Sequence, residues 1–367
     1  ESDDPRVGWV LADVLRFIPA PSPHSAVLVD AINGATGLEL DRVDPASWVA
    51  AMNQFLTWGL PTPPTYREVK ADLYGQVEPL WEDLILDESS PMAPQDLLFG
   101  GVRADLRPLD DPSPCSGCIP SLDHPTVTDA AGGDWYQDHK LVFGVTVEGE
   151  ARAYPTHQLE IHELVNDTLG SRELAIPYCT LCGSAQAFLV DEVSDERLVL
   201  RTSGLLHRSN KVMYDLTTES FVDTFAGVGV SGPLAGEVIP QVGVSLVPWG
   251  EWKAAHPNTT ILLEDGGIGI EYPEDPLGGR DANGPVFPVG PVDDRLGSVE
   301  RVIGVVDGER AVAFSKAALL EAGSAEVDGV SIEVVDGGFD AGGLPVQEAY
   351  WFAWSQFHPG TEVWPGS

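Results

Sequence analysis

The feature that most constrains the fold is a change of pattern near residue 110. Up to about residue 100, apolar residues recur at three- and four-residue spacing, as in DPRVGWVLADVLRFI and TYREVKADLYGQVEPLWEDLI, which is typical of amphipathic helices. Beyond that point, short β-branched runs such as LVFGVTV and RVIGVV alternate with Gly, Pro and Asp turns. Such runs predict the strands of a mainly antiparallel β domain. The expected fold class is therefore α+β, with a helical N-terminal region.

The β domain contains an internal repeat. VFGVTVEGEARAYP at 142–155 is similar to VIGVVDGERAVAFS at 302–315, and the segments at 249–259 and 351–361 share the pattern W-x-x-W-x-x-x-H-P-x-T. We predict two related halves from this repeat. Each W-x-x-W segment is interpreted as a structural helix, because Trp buries a large area and Pro ends the helix.

These patterns divide the chain into four segments. A helical region (1–105) precedes a first β-rich half (106–270), a linker rich in Gly, Pro and Asp (271–298), and a shorter second half (299–367). The His-Glu and Cys-x-x-Cys motifs lie only in the first half. The second half is therefore expected to serve as a scaffold.

The charge of the chain excludes one class of partner. It has 57 Asp and Glu against 20 Lys and Arg, a net charge of −37. A surface of this sign repels phosphates, so binding of DNA or RNA is not expected. The acids are spread along the whole chain, which favours adaptation to high salt over a site for cations or basic partners.

The compartment is predicted from two features. No apolar run reaches the roughly 18 residues that a membrane helix needs. The chain starts at Glu1 rather than Met, so we expect that a leader was removed. An extracellular or cell-surface location, with attachment through such a leader, is the expectation.

Candidate ligands are concentrated between residues 154 and 214, although the chain has only eight His and four Cys. In HELVND, His162 and Asn166 share one helix face, with Glu163 turned aside. The segment differs from the zinc-protease pattern H-E-x-x-H, because Asn166 is a poor metal ligand. His162 is a candidate ligand, and Glu163 is a candidate acid–base catalyst or a partner that orients a neighbouring group.

Cys179 and Cys182 follow a predicted strand and precede a turn of small residues. Two close cysteines can bind one metal through two thiolates, form a disulfide, or act as a redox pair. Met213, a lone methionine among β residues, is either core filler or a weak ligand. Two thiolates, the imidazole of His162 and this thioether suit copper, and zinc would accept the thiolates and imidazole with water.

A second Cys-x-x-Cys pair, Cys115 and Cys118, lies in the loop SPCSGCIPS. Its surroundings are rich in Pro and Gly, and His124 is the one candidate ligand near it in the sequence. We therefore predict a local disulfide there. His207 remains either a functional or a structural residue.

The combined motifs are similar to the bacterial and archaeal family called domain of unknown function 3179. The resemblance rests on GEARAYP, H-E-x-V-N-D, YCTLCGSA, SGLLHRSNKVMYD and the terminal WFAWSQFHPGTEVW, and it covers about residues 110–363. It implies an often exported or surface-attached protein and does not imply a particular activity. It marks these residues as motif positions: His162, Glu163, Asn166, Asp167, Cys179, Cys182 and Met213.

Three functions remain open at this point. The first is an exported metal-binding protein, with copper preferred over zinc, that acts in redox chemistry, electron transfer or as a metal-dependent oxidoreductase. The second is a thiol–disulfide oxidoreductase centred on Cys179 and Cys182. The third is a non-catalytic surface module in which the Cys-x-x-Cys is a disulfide staple. The sequence leaves open whether the partner is a small molecule or a redox protein.

Overall fold

The computed structural model describes residues 4–279 and 283–365. Within them the chain forms nine α-helices. Their bounds are α1 (Val7–Phe17), α2 (Pro23–Thr36), α3 (Ser47–Trp58), α4 (Tyr66–Gly75), α5 (Leu80–Leu86), α6 (Thr156–His162), α7 (Trp249–Ala255), α8 (Lys316–Ala322) and α9 (Trp351–Phe357). No helix among the described residues has the length and apolar character needed to cross a membrane.

The strands are short, as the turn spacing predicts. They are β1 (Leu97–Phe99), β2 (Leu122–Asp123), β3 (Val127–Asp129), β4 (Leu141–Val147), β5 (Glu150–Pro155), β6 (Leu164–Leu169), β7 (Arg172–Cys179), β8 (Ser184–Ala185), β9 (Ala187–Leu189), β10 (Leu200–His207), β11 (Asn210–Asp215), β12 (Ser220–Asp223), β13 (Val228–Gly229), β14 (Gln241–Val242), β15 (Val244–Pro248), β16 (Thr260–Leu262), β17 (Arg301–Asp307), β18 (Arg310–Ser315), β19 (Ser324–Val327), β20 (Val330–Val335), β21 (Gly338–Asp340), β22 (Val346–Tyr350) and β23 (Glu362–Trp364).

The strands form five small sheets, with these orders: sheet A, β1-β10-β11-β12-β13; sheet B, β14-β9-β7-β6-β2, with β8 paired to β7; sheet C, β15-β4-β5-β16-β3; sheet D, β22-β17-β18-β23; and sheet E, β19-β20-β21. Parallel pairing among them is confined to β2 with β6, β5 with β16, and β18 with β23. The predicted α+β class, the mainly antiparallel sheets and the N-terminal helices are therefore confirmed.

Sheets C and D have the same local order. In each, a central hairpin (β4-β5 or β17-β18) pairs with an antiparallel strand on one side and a parallel strand on the other. The relation between the two halves and the four segment boundaries stay predictions. Residues 280–282 of the predicted linker, the first three residues and the last two lie outside the described residues.

The N-terminal helices pack on the β domain. One apolar cluster joins Trp9, Ile32 and Phe55 to Leu206 and Phe287. In a second cluster the indole of Trp81 donates to the carbonyl oxygen of Ser203 at 2.7 Å. The helices therefore share buried surface with sheet A.

Each W-x-x-W helix is fixed by its second tryptophan. The indole Nε1 of Trp252 donates to Thr259 Oγ1 at 2.9 Å, and Trp354 Nε1 donates to Thr361 Oγ1 at 2.9 Å. Both indoles are almost fully buried, with exposed fractions of 2% and 0%. The Trp-to-Thr spacing shared by the two copies therefore corresponds to one hydrogen bond in each copy.

A glycine faces each of these indoles, and its replacement gives a first prediction. A Cβ on Gly304 would lie 2.0 Å from Trp354 Cζ3. We expect Gly304→Ala to lower the free energy of unfolding by about 2–3 kcal/mol, because the buried indole must shift. Urea unfolding followed by Trp fluorescence measures this. Gly360→Ala, where the added Cβ meets nothing within 4 Å, is the control, and equal stability of both variants would contradict the prediction.

Candidate functional site

His162 ends helix α6 and is held at both ring nitrogens; the prediction that it shares a helix face with Asn166 is wrong, because Asn166 lies on strand β6. Its Nδ1 lies 2.7 Å from the carbonyl oxygen of Pro120, and its Nε2 lies 2.7 Å from the hydroxyl of Tyr272. A carbonyl only accepts, so Nδ1 carries the proton and the tyrosine donates to Nε2. Burial lowers the pKa of His162, which keeps the ring neutral.

Glu163 follows α6 with a left-handed backbone, φ 57°. The corresponding position after α8 is Gly323, the residue that this conformation favours. Glu163 is 7% exposed; its carboxylate forms an ion pair with Lys211 and accepts a hydrogen bond from Thr180 Oγ1 at 3.4 Å. A carboxylate is thus kept where the backbone favours glycine, which is typical of a functional constraint.

Cys179 ends strand β7, and Cys182 follows on a tight turn closed by a 3.2 Å hydrogen bond from its amide to the Cys179 carbonyl oxygen. Both cysteines are free thiols with exposed fractions of 2% and 0%. The amide of Tyr350 donates to the carbonyl oxygen of Cys182 at 2.8 Å. Sheet D therefore contacts the thiol turn, and the predicted scaffold role of the second half stays a prediction.

A strained hairpin turn approaches the thiols from the other side. Arg208 and Ser209 connect β10 to β11 with φ values of 48° and 74°. Cys179 Sγ lies 3.4 Å from the Ser209 carbonyl oxygen, to which the thiol donates. Two consecutive non-glycine residues in the left-handed region cost roughly 1–2 kcal/mol each, so surrounding contacts must stabilise this turn.

The two thiols differ in acidity. Burial by itself raises the pKa of Cys179, but the Cys182 thiol, the Lys211 charge and the backbone amides of Cys182 and Lys211 bring that pKa below its ordinary value. Burial, together with the bond to Cys179 and the proximity of its charge, raises the pKa of Cys182 well above its ordinary value. Cys179 is therefore the thiol that ionises first.

A cavity of about 340 Å³ adjoins the thiol turn. Thr180 and Leu181, the two residues between the cysteines, line it, and so do Glu163, Lys211 and Met213. Its remaining wall is mostly apolar. The charged groups in the cavity wall are thus Glu163 and Lys211, the ion pair near Cys179.

The structure brings some predicted residues together and separates others. Glu163 and Cys179 share Lys211 as a neighbour. Met213 lies in an apolar cluster with Leu200 and Val222, as core filler would, although it also lines the cavity. Both nitrogens of His162 are engaged elsewhere. Neither residue is shown to bind a metal, so the predicted ligand set stays a prediction.

Among the described residues, one group of three potential metal-binding residues has its ligand atoms within 4.8 Å of one another: Asp105, Cys115 and Cys118. The two cysteines form a disulfide, which confirms the predicted local bridge. Asp105 already accepts hydrogen bonds from Arg107 and from the amide of Ser121.

Sequence reasoning missed Lys211, Ser209 and Tyr272. Lys211 had a signal, since lysine occurs at only five positions in this acidic chain and this lysine stands within a motif segment. Its side chain is 11% exposed, which is unusual for lysine. Ser209 and Tyr272 are distant in sequence from the groups they contact and carried no such signal.

Two histidines give a prediction about pH. Burial lowers the pKa of His157 to about 4 and that of His358 to about 4, against roughly 6.5 in an unfolded chain. Between these values the unfolded chain binds more protons, so stability falls as the pH drops from 6.5 towards 4. We expect a loss on the order of 2 kcal/mol by pH 5, after allowance for the partial exposure of both rings.

Urea unfolding at several pH values measures this loss. In the double variant His157→Phe/His358→Phe, stability should fall less steeply between pH 6.5 and 5, because Phe retains the ring contacts with Tyr136 and Trp354 and does not titrate. Equal slopes for the variant and the unaltered protein would show that these histidines do not carry the effect.

Comparison with known families identifies the family of this chain. The model of the family described as "Protein of unknown function (DUF3179)" matches residues 116–341. The chain belongs to this family. The DUF3179 match includes the thiol turn, the Glu163–Lys211 pair and Cys118, whereas the N-terminal helices precede it. No curated protein and no solved structure matches the DUF3179 chain.

Proposed function

We propose that this protein is a thiol–disulfide oxidoreductase whose redox centre is the Cys179/Cys182 pair. The observation that carries the proposal is the environment of Cys179. Despite burial, the Cys182 thiol, the Lys211 charge and the backbone amides of Cys182 and Lys211 lower the pKa of Cys179 below its ordinary value. Such surroundings stabilise a thiolate, the form that attacks a disulfide.

The chemistry needs only a disulfide as co-reactant. The Cys179 thiolate attacks one sulfur of the substrate disulfide and forms a mixed disulfide, and the other substrate sulfur leaves as a thiolate. Cys182, once deprotonated, attacks Cys179 Sγ and releases the second substrate thiolate. The protein loses two electrons and two protons, and the substrate becomes two thiols.

The cavity limits the substrate to one of small size. Both sulfurs are buried, and the adjoining space of about 340 Å³ lies near the lower end of the range for ligand pockets. Glu163 and Lys211 are the charged groups in its wall. Glu163 is proposed as the group that holds Lys211 beside Cys179 and accepts a proton during exchange.

The proposal is tested by reduction of a small disulfide, such as cystamine, by the pre-reduced protein. We expect stoichiometric oxidation of Cys179 and Cys182, detected by alkylation and mass spectrometry. Cys179→Ser should abolish the reaction, and Cys182→Ser should trap the mixed disulfide. Ser116→Ala, on the exposed loop, is the control. Cystamine that leaves both thiols reduced would refute the proposal.

A metal site is the second candidate. Two free thiols on one turn offer a soft ligand pair that suits copper, and zinc less closely, with Met213 lining the neighbouring cavity. Elemental analysis of protein purified without added metal or chelator tests it. About one copper or zinc per chain, lost in Cys179→Ser and retained in Ser116→Ala, would favour this candidate, and metal-free folded protein would exclude it.

We also infer that the protein is exported. The Cys115–Cys118 disulfide supports this, because such bonds persist in oxidising compartments and are rare in the cytosol. The acidic composition supports a saline environment. Labelling of lysine amines such as Lys140 and Lys253, which are 28% and 26% exposed, in intact cells with an impermeant reagent tests the location, since an intracellular protein would stay unlabelled until lysis.

Sheets C and D are proposed to derive from one duplicated unit. The shared strand order, the matched Trp–Thr hydrogen bonds and the glycine facing each indole support this. In this interpretation the second copy lost, or never acquired, site residues and now supports the thiol turn.

A further inference from the structure

We propose that the Cys115–Cys118 disulfide is a second redox pair, which carries electrons between the buried Cys179/Cys182 dithiol and disulfides of other proteins. This inference rests on the proposed function and names its partner class. The same chain holds one Cys-x-x-Cys as a disulfide and the other as a dithiol. In this proposal the two pairs exchange electrons directly, so no further reagent is needed.

Electron transfer to a protein partner needs a second pair of cysteines that is more exposed than Cys179 and Cys182. Cys179 and Cys182 have exposed fractions of 2% and 0%, so a disulfide on a folded protein cannot reach them. Cys115 and Cys118 are half-buried in a loop whose neighbours, among them Ser116, are exposed. Contact with a large partner is therefore possible at this loop.

The cavity beside the thiol turn is lined by sequence neighbours of both pairs. Ile119, which directly follows Cys118, lines the cavity, and so do Thr180 and Leu181, which lie between the buried cysteines. The carbonyl oxygen of Ile119 accepts a hydrogen bond from Thr202 Oγ1 at 2.8 Å. The base of the disulfide loop is thereby fixed in the wall of the same space.

Backbone hydrogen bonds hold the loop close to Cys118, although several of its residues are exposed. The amide of Arg103 donates to Gly117 O at 2.7 Å, and the amide of Ser121 donates to Asp105 Oδ2 at 3.0 Å. Residues 112–114 and 116–117 are exposed. The proposed exchange therefore requires release of the hydrogen bond between Arg103 and Gly117, which would free Cys118 to move towards Cys179.

The exchange is balanced within the chain. The Cys179 thiolate attacks Cys118 Sγ, and Cys115 leaves as a thiolate. Cys182 then attacks Cys179 Sγ, which breaks the inter-pair bond and releases Cys118. The Cys179/Cys182 pair (the inner pair) loses two electrons and two protons, and the Cys115/Cys118 pair (the outer pair) gains them. The outer dithiol can then reduce a disulfide on a partner protein.

The test follows each pair separately. The protein is fully reduced, mixed with insulin or with cystamine, quenched with acid, alkylated and analysed by mass spectrometry. With insulin we expect the outer pair to oxidise first and the inner pair to follow. In Cys115→Ser/Cys118→Ser, oxidation of the inner pair by insulin should slow at least tenfold. Ser331→Ala, an exposed position on β20 away from both pairs, should behave as the unaltered protein does.

Two outcomes separate this inference from the proposed function. Inner-pair oxidation by insulin at an unchanged rate in Cys115→Ser/Cys118→Ser would overturn the shuttle and leave the redox centre standing. Resistance of the inner pair to cystamine in the unaltered protein would overturn both. In Cys115→Ser/Cys182→Ser a disulfide between Cys118 and Cys179 should form, and its absence after mild oxidation would also overturn the shuttle.

Discussion

Replacement of Lys211 by Met is expected to lower both the stability of the protein and the reactivity of Cys179. Lys211 forms an ion pair with Glu163, and the two side chains are 11% and 9% exposed. Removal of the ammonium group leaves a buried carboxylate without a counter-charge, which costs about 3–5 kcal/mol in the free energy of unfolding. Urea unfolding measures this loss.

The same change removes a positive charge that lowers the pKa of Cys179. That pKa should rise, so less thiolate is present at neutral pH, and each unit of the rise lowers the thiolate fraction about tenfold. The rate of alkylation of Cys179 by iodoacetamide, followed from pH 5 to 10, reports the shift: its midpoint should move to higher pH in Lys211→Met.

Two further variants separate stability from reactivity. Glu163→Gln/Lys211→Met leaves no unpaired charge, so most of the stability should return while the alkylation midpoint stays high. Lys253→Met removes a more exposed lysine that pairs with Asp138 and should change stability by less than about 1 kcal/mol. An unchanged alkylation profile in Lys211→Met would contradict the proposed role of the lysine.

Replacement of Asp13 by Ala is expected to unfold the N-terminal helices. Asp13 accepts hydrogen bonds from the ammonium group of Lys70 at 2.9 Å and from the hydroxyls of Tyr66 and Tyr74 at 2.5 and 3.1 Å. The Lys70 and Asp13 side chains are 0% and 1% exposed. Without Asp13 a buried ammonium ion has no counter-charge, at a cost of about 3–5 kcal/mol.

Circular dichroism during urea unfolding tests this expectation. Asp13→Leu/Lys70→Met removes both charges and should recover part of the lost stability, because no unpaired charge remains while the hydroxyls of Tyr66 and Tyr74 still lose their acceptor. Asp30→Ala breaks the exposed pair with Arg42 and should cost less than about 1 kcal/mol. A loss no larger in Asp13→Ala than in Asp30→Ala would contradict the prediction.

Much of the fold could be predicted from local pattern. The runs at 142–155 and 302–315 each form a hairpin, β4-β5 and β17-β18, because alternating β-branched residues and a two-residue turn specify pairing over a short distance. The W-x-x-W segments form helices whose tryptophans are buried. In each case the determining residues are neighbours in sequence.

The candidate site could be predicted in part. The sequence located Glu163, Cys179 and Cys182 as candidates, since their residue types and spacing carry chemistry. It could not place His162, whose ring is held by Pro120 and by Tyr272, a residue 110 positions away. It also could not show that Lys211 lies beside Cys179, because that contact depends on how sheets A and B pack.

The sequence by itself determined the α+β class, the helical N-terminal region, the family and the local Cys115–Cys118 disulfide, since these depend on periodicity, motifs and short spacing. Only the tertiary structure decided that Cys179 and Cys182 are buried free thiols of unequal acidity and that Ile119, Thr180 and Leu181 line one cavity. Acidity and access depend on burial and on charges brought together from distant strands, and local sequence does not specify these.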